Sequence, residues 1–238
     1  MWLTNSSVGR KVVMSVTGLF LVLFVTFHAL MNAVAIISLP AYDTICEFLG
    51  ANWYAVAGTV VLAGGFAVHI IYAFWLTWQN RKARGSNRYA VNTKPKNVEW
   101  ASQNMLVLGL IVCCFLILHL FQFWANMQLP ELVNHDLSPE FRTGERALGT
   151  IFGNNNWWVL PVYLIGFAAL WFHISHGFWS AFQTLGTAND KWIPRWQCIS
   201  KWWTSIMFIL FAIEAIYFAL HFNGVIPCYS LSINLLNL

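Results

Sequence analysis

Charge is scarce in this sequence. Only 9% of the 238 residues are Asp, Glu, Lys or Arg, whereas soluble domains are usually about one quarter charged. So few charged side chains cannot cover the surface of a globular domain in water, which excludes an ordinary soluble enzyme. Hydrophobic residues make up 58% of the chain and aromatic residues 17%. The composition therefore predicts a membrane protein.

Several motifs of redox and nucleotide chemistry are missing as well. The five cysteines form no C-x-x-C pair and no C-x-x-C-H segment for covalent haem, so we interpret them as packing residues. No glycine-rich nucleotide-binding motif occurs. The chain therefore carries neither a motif for covalent haem attachment nor one for nucleotide binding.

Long apolar runs are present in five places, each with at least the roughly 20 residues that a transmembrane helix needs. Tryptophans cluster at the ends of these runs, as expected for an aromatic belt. We interpret the first run as a retained helix, since it exceeds the roughly 7–15 apolar residues of a signal peptide. Because no soluble domain remains, residues 1–238 should form one all-α membrane domain. The predicted helices are 12–39, 53–78, 101–127, 157–184 and 202–222.

The basic residues divide unevenly between the two ends of these helices. Eleven of the 13 Lys and Arg residues fall before helix 1, between helices 2 and 3, or around the helix 4–5 link. Only Arg142 and Arg146 fall on the other side. The positive-inside rule then predicts a cytoplasmic N-terminus and an external C-terminus. A basic cytoplasmic face could also dock a soluble partner.

Histidines occur near the middle of the first four predicted helices, at His28, His69, His119 and His173. Ionisable groups are costly inside a membrane, so each is a functional candidate. At about 1.5 Å per residue, His28 and His119 lie roughly 25–28 Å from the cytoplasmic ends of their helices, and His69 and His173 roughly 16 Å. The sequence therefore predicts two layers about 10 Å apart, each with one histidine from each of two helices.

Two facing imidazoles are what a six-coordinate haem iron requires from a protein. Two layers would hold two stacked b-type haems inside a bundle of five helices, and the haems would carry electrons because no open position remains. The segment WFHISHGFW offers both His173 and His176 on one helix face, and depth does not choose between them. Seven glycines could let a flat macrocycle approach the helices, although small residues also serve ordinary helix packing. They are Gly18, Gly58, Gly64, Gly65, Gly109, Gly166 and Gly177.

The motifs GRKVVMSVTGLFLVLFVTFHALMN and FHISHGFWSAFQTLG, together with the histidine layout, resemble a known family. It is the cytochrome b membrane anchor of the single-chain, di-haem succinate:quinone oxidoreductases, which include fumarate reductases. The resemblance implies that His28 and His119 ligate the outer haem and that His69 and His173 ligate the inner one. His173 is selected over His176 because it occupies the first position of the fourth-helix motif.

The resemblance also implies partners and substrates. The partners are a flavoprotein subunit with covalent FAD and an iron–sulfur subunit, on the cytoplasmic side of a bacterial inner membrane. Electrons would pass between the succinate/fumarate couple and a membrane quinone, which we expect to be menaquinone. The acids available for quinone proton exchange are Asp43 and Glu47, of which Glu47 is preferred. Some relatives carry a proton-transferring glutamate two residues before the fourth ligand, but Trp171 stands there in this chain.

Other polar residues and two other functions stay open at this stage. Glu214 lies mid-span and could bond a haem propionate, a histidine or a water, whereas Gln122 and Asn126 could line a quinone pocket or bond neighbouring helices. The chain could be the haem b subunit of another quinone-linked complex, such as a hydrogenase or formate dehydrogenase. It could also be a histidine-lined metal or proton transporter, although neither internal repeats nor acids along the spans are evident. The sequence does not fix whether succinate is oxidised or fumarate reduced.

Overall fold

The computed structural model describes residue 3 and residues 6–50, 52–84, 99–133 and 143–227. Within these ranges the chain is helical and contains no strand. Among the described residues, five helices are long and apolar enough to cross a membrane, which confirms the prediction of an all-α fold with five candidate spans for that part of the chain. The spans are Ser7–Ile37, Trp53–Ala83, Met105–Trp124, Val159–Thr184 and Trp192–Phe222.

The helices of the described ranges are numbered here in chain order, and in these ranges four short helices accompany the five spans. A π-helical turn, Leu120–Trp124, follows α5 directly. The helices are α1 (Ser7–Ile37), α2 (Leu39–Phe48), α3 (Trp53–Arg84), α4 (Trp100–Gln103), α5 (Met105–His119), α6 (Gln128–Val133), α7 (Gly144–Phe152), α8 (Val159–Thr184) and α9 (Trp192–Phe222).

Several helices extend past the boundaries that hydropathy predicts. Helix α1 begins at Ser7 rather than near residue 12, because the Ser6 hydroxyl accepts a hydrogen bond from the Gly9 backbone N–H at 2.8 Å. Helix α9 begins at Trp192 rather than near residue 202, where the Asn189 side-chain oxygen accepts from the Trp192 N–H at 3.0 Å. Hydropathy marks only the apolar part of a helix, whereas capping residues determine where its hydrogen bonds begin.

The chain divides into two compact units, and each long helix contributes segments to both. Unit 1 contains residues 1–24, 60–111 and 169–205. Unit 2 contains residues 25–59, 112–168 and 206–238, and with them the short helices α2, α6 and α7. The prediction that residues 1–238 form a single domain stays a prediction.

In unit 1, small polar side chains pack α8 against α9. The fully buried Ser200 donates its hydroxyl to the Ser175 carbonyl at 2.6 Å. The indole Nε1 of Trp171 donates to the Ser205 hydroxyl at 3.0 Å. Small residues let two helices approach closely, and their hydroxyls satisfy polar groups where water is excluded. These bonds fix the segment of α8 that carries the WFHISHGFW histidines.

In unit 2, helix α2 is fixed to the start of α7. The Tyr42 ring and the Cys46 thiol lie directly against Gly144, and a Cβ at that position would overlap both side chains. The Asp43 carboxylate accepts a hydrogen bond from the Glu145 backbone N–H at 2.9 Å, which satisfies one free donor at the helix start. Tyr42 is therefore held firmly in the core of the unit, where only 7% of its surface is exposed.

Candidate functional site

The first pair of histidines lies in unit 1. His69 on α3 and His173 on α8 have ring centroids 6.3 Å apart, with ring planes crossed at 69°. Each ring lies close to a glycine of another helix: a Cβ at Gly18 would sit 3.3 Å from Cε1 of His69, and one at Gly109 would sit 3.5 Å from Cε1 of His173. The glycines thus leave room for the two imidazoles to face each other.

The hydroxyl of Thr17 determines which ring nitrogen of His69 carries the hydrogen. It donates its proton to the Val13 carbonyl at 2.8 Å, and its oxygen lies 3.3 Å from His69 Nδ1. A hydroxyl that has already donated its proton can only accept from the ring, so Nδ1 carries the hydrogen. This tautomer leaves the Nε2 lone pair available as a ligand.

The second histidine of unit 1, His173, is less completely hydrogen-bonded than His69. His173 Nδ1 is buried and has no hydrogen-bond partner among the described residues. His176, on the same helix, has a different partner, since its Nδ1 lies 3.0 Å from the Glu99 carboxylate. The structure thus places His173 opposite His69 and pairs His176 with an acid. The assignment of His173 as the ligand stays a prediction.

The second pair of histidines lies in unit 2. His28 on α1 and His119 at the end of α5 have ring centroids 5.8 Å apart and ring planes crossed at 87°. Aromatic rings surround them: Phe123 lies 4.9 Å from the His119 ring and Phe211 lies 6.0 Å from the His28 ring, between centroids. The aromatic surroundings are apolar and suit a flat hydrophobic ligand.

Tyr163 lies beside the His119 ring and is hydrogen-bonded to Gln122. The Tyr163 hydroxyl donates to the Gln122 side-chain oxygen at 2.7 Å, and its oxygen lies 3.5 Å from His119 Nδ1. As with Thr17, the hydroxyl proton is already used, so the oxygen accepts from Nδ1 and leaves Nε2 free. Gln122 thus takes part in a helix–helix hydrogen bond, one of the two roles that the sequence leaves open.

The contact at His28 is different, because it falls on Nε2. The Asn32 side-chain nitrogen lies 3.2 Å from His28 Nε2, and the Asn32 oxygen accepts from the Tyr42 hydroxyl at 3.0 Å. An amide N–H donates, so Nε2 is an acceptor and carries no hydrogen. Tyr42, Asn32 and His28 therefore form a hydrogen-bonded chain from α2 to the histidine pair.

Both pairs fit the spacing that a bis-imidazole iron requires. A metal–imidazole bond is about 2 Å long and a ring nitrogen lies about 1.1 Å from its centroid, so opposed ligands place their centroids about 6.2 Å apart. The observed separations are 6.3 Å in unit 1 and 5.8 Å in unit 2. The spacing of the rings therefore suits a haem iron at each pair, and at His28 the iron would have to take Nε2 from the Asn32 amide. No group of three or more His, Cys, Asp or Glu side chains that could hold a metal ion occurs in the described ranges.

The acidic candidates lie in different surroundings. Glu47 lies in α2 and its side chain is exposed, whereas Asp43 caps α7. Glu214 is buried on α9 with 7% of its surface exposed, and its Oε1 has no partner among the described residues. The prediction that Glu47 exchanges quinone protons is untested by these positions.

Asn126 and several of the glycines have structural contacts. The Asn126 amide donates to the Phe121 carbonyl at 2.8 Å, which caps the π-helical turn. Gly65 packs against Phe20 and Gly166 against Phe115, so neither lies against a histidine. Of the seven glycines considered in the sequence, those beside a ligand candidate are Gly18 and Gly109. His135 lies outside the described residues.

Sequence reasoning did not identify Thr17, Asn32, Tyr42 or Tyr163 as partners of the histidines, nor Glu99 as the partner of His176. A usable signal exists for three of them, since Thr17, Asn32 and Tyr163 are polar residues inside predicted spans, where polar groups require partners. Tyr42 and Glu99 lie outside the predicted spans and carry no such signal.

Comparison with known proteins gives one informative similarity. The chain is similar to the succinate dehydrogenase cytochrome b558 subunit of Bacillus subtilis (strain 168), with 22% identity over 188 residues, or 79% of this chain and 82% of that protein. No protein-family model and no solved structure matches the chain. The similarity supports the cytochrome b anchor family and a multi-pass membrane protein.

Proposed function

We propose that this chain is the di-haem cytochrome b membrane anchor of a succinate dehydrogenase or fumarate reductase complex. His69 and His173 would hold the inner b haem, and His28 and His119 the outer one. The observation that carries the proposal is the presence of two histidine pairs, one in each unit, at the spacing that opposed iron ligands require. The similarity to a cytochrome b558 subunit independently supports a cytochrome b membrane anchor.

The residues around the histidines determine which ring nitrogens could bind iron and leave space around the unit 1 rings. Thr17 and Tyr163 accept hydrogen bonds from Nδ1 of His69 and His119, so each ring presents an unprotonated Nε2. Gly18 and Gly109 keep side chains away from the unit 1 pair. A haem with two imidazole ligands supplies reversible one-electron transfer and leaves no position open for oxygen. The stacking of the two haems belongs to this proposal.

The proposed partners follow from the same family. A flavoprotein subunit with FAD and an iron–sulfur subunit would exchange electrons with the anchor, and a membrane quinone, menaquinone by preference, would complete the path. Of the nine Lys and Arg residues in the described ranges, eight lie in unit 1 and only Arg146 lies in unit 2. Such an asymmetry supports a cytoplasmic basic end that docks soluble partners.

Quinone proton exchange is assigned to Glu47. Its exposed side chain on the short helix α2 could reach a quinol hydroxyl at the membrane surface. The N-terminus would be cytoplasmic and the C-terminus external, in a bacterial inner membrane. Both directions of the succinate/fumarate reaction use these same parts.

Single histidine variants of the purified complex test the ligand assignment. We expect His173→Ala to lose one of two b haems by pyridine haemochrome analysis, and His176→Ala to keep both. Loss of a haem in His176→Ala with retention in His173→Ala would move the inner ligand by one turn. A folded wild-type protein without haem would overturn the proposal and favour the histidine-lined transporter.

A further inference from the structure

Two basic residues lie side by side at the start of α9. The Asn189 side-chain oxygen accepts hydrogen bonds from the backbone N–H groups of Lys191 and Trp192, both at 3.0 Å, so Asn189 caps this helix. Lys191 therefore belongs to the first turn and lies four residues before Arg195. Residues at this spacing are neighbours on one face of a helix. Because both side chains are exposed, they form a pair of neighbouring cations on the surface of unit 1.

This pair of cations has no acidic neighbour on its own face of the helix. In this part of the described chain, no carboxylate stands three or four residues from either cation; those positions hold Thr187, Ala188, Trp192, Pro194, Cys198 and Ile199. Asp190 directly precedes Lys191, but consecutive helical residues point roughly 100° apart. Like charges four residues apart destabilise a helix. An anion bound to both side chains would remove this repulsion.

A stack of aromatic rings fixes the position of Arg195. Its guanidinium carbon lies 5.1 Å from the centroid of the Trp192 ring. Trp192 stacks on Trp196 with centroids 5.7 Å apart, and Trp196 stacks on Phe182 of α8 at 3.9 Å with nearly parallel rings. A guanidinium that lies over an aromatic ring can still donate hydrogen bonds through its edges. The stack thus places a cation at the exposed end of α9 in a form that can bind an anion.

Further along α9, the same face is apolar and exposed. Ile199 lies four residues after Arg195 and Trp202 lies seven residues after it, which is the spacing of one helix face. Their exposed fractions are 41% and 70%. At about 1.5 Å per residue, Trp202 lies about 10 Å along the helix from Arg195. Because α9 is a candidate membrane span, this face has cations at its end and apolar side chains toward the membrane interior.

We propose that this face binds an anionic phospholipid, with the headgroup phosphate on Lys191 and Arg195 and an acyl chain along Ile199 and Trp202. A phospholipid has its phosphate and its hydrocarbon in the same order along the membrane normal as α9 has its cations and its apolar residues. Basic residues next to a span attract anionic lipids, and tryptophans favour the headgroup level. An acidic soluble protein would match the two cations but would leave Ile199 and Trp202 uncovered. The inference does not depend on haem binding.

Lipid titration of the purified full-length protein, with any subunits that accompany it, tests this site by native mass spectrometry. Phosphatidylglycerol is the anionic lipid, and phosphatidylcholine with the same acyl chains is the zwitterionic one. We expect the wild type to bind phosphatidylglycerol more tightly than phosphatidylcholine. Lys191→Gln and Arg195→Gln should each weaken phosphatidylglycerol binding about fivefold, since one cation near a membrane surface contributes about that factor. Neither variant should change phosphatidylcholine binding.

Two further variants separate the charge from the apolar face. Lys201→Gln is the matched control, because it removes an exposed cation from the same helix. Lys201 lies six residues after Arg195, which places it roughly 120° away around the helix. This control should bind both lipids as the wild type does. Trp202→Ala should weaken both lipids, because the acyl chain would lose part of its contact surface.

Each other outcome would overturn the inference in a distinct way. An equal loss in Lys201→Gln would reduce the effect to general charge on α9. Displacement of the lipid by inorganic phosphate at an equal concentration would show a site for a free anion. Wild-type lipid binding in Lys191→Gln and Arg195→Gln, with soluble subunits lost during purification, would assign the cations to a protein partner. All replaced side chains are exposed, so each variant should keep the wild-type Tm and remain suitable for the titration.

Discussion

At the scale of single residues, hydroxyl groups determine which ring nitrogen of a histidine is available. Thr17 has given its proton to the Val13 carbonyl, and Tyr163 has given its proton to Gln122. Their oxygens can then only accept from Nδ1 of His69 and His119. These contacts select the tautomer that a haem iron needs, without any charge inside the membrane.

Thr17→Val removes this acceptor while keeping the shape of the side chain. We expect the haem proposed for unit 1 to be held less tightly, since outer partners of metal-bound histidines typically change metal affinity about 10–100-fold. The measurement is the fraction of haem retained by the purified protein during prolonged dialysis in detergent. Thr44→Val is the control, because the Thr44 hydroxyl donates to the Pro40 carbonyl on α2. Equal haem retention in the two variants would show that Thr17 has no such role.

At the scale of elements, the sequence predicts the long helices but not the short ones. Hydropathy finds all five spans because each needs a long apolar run. Hydropathy does not identify helix α2, because its ten residues include Asp43 and Glu47. The helix begins where the Ser38 side chain accepts a hydrogen bond from the Ala41 N–H. The histidine pairs can be predicted from one histidine per span. The Tyr42–Asn32–His28 chain depends on the position of α2, which hydrophobic periodicity does not predict.

Gly144→Ala tests how firmly α2 is fixed to α7. The added methyl group would overlap Tyr42 and lie 2.7 Å from the Cys46 sulfur, so one of the helices must shift. Such overpacking typically costs about 1–3 kcal/mol. We expect a lower Tm for the purified protein in thermal unfolding.

The control for this prediction is Gly177→Ala on α8, where nothing lies within 4 Å of the added Cβ. Alanine is the better helix former by roughly 1 kcal/mol, so this variant should keep or raise the Tm. A Tm for Gly144→Ala as high as that of Gly177→Ala would mean that α2 and α7 are not packed as described.

At the scale of the whole molecule, chemistry and charge are divided between the two units. Each unit holds one histidine pair, and the described basic residues are concentrated in unit 1. In the proposed function, the histidine pairs would hold the haems and the basic residues would face the soluble partners. The similarity to a cytochrome b558 subunit agrees with an anchor of this kind.

The ratio of haem b to protein in the purified wild-type chain tests the central claim most directly. Pyridine haemochrome absorbance gives the haem concentration, and quantitative amino-acid analysis of the same sample gives the protein concentration. We predict two b haems per chain, one for each histidine pair. A folded preparation with one haem or none would contradict the account, because at least one of the two pairs would then have another purpose.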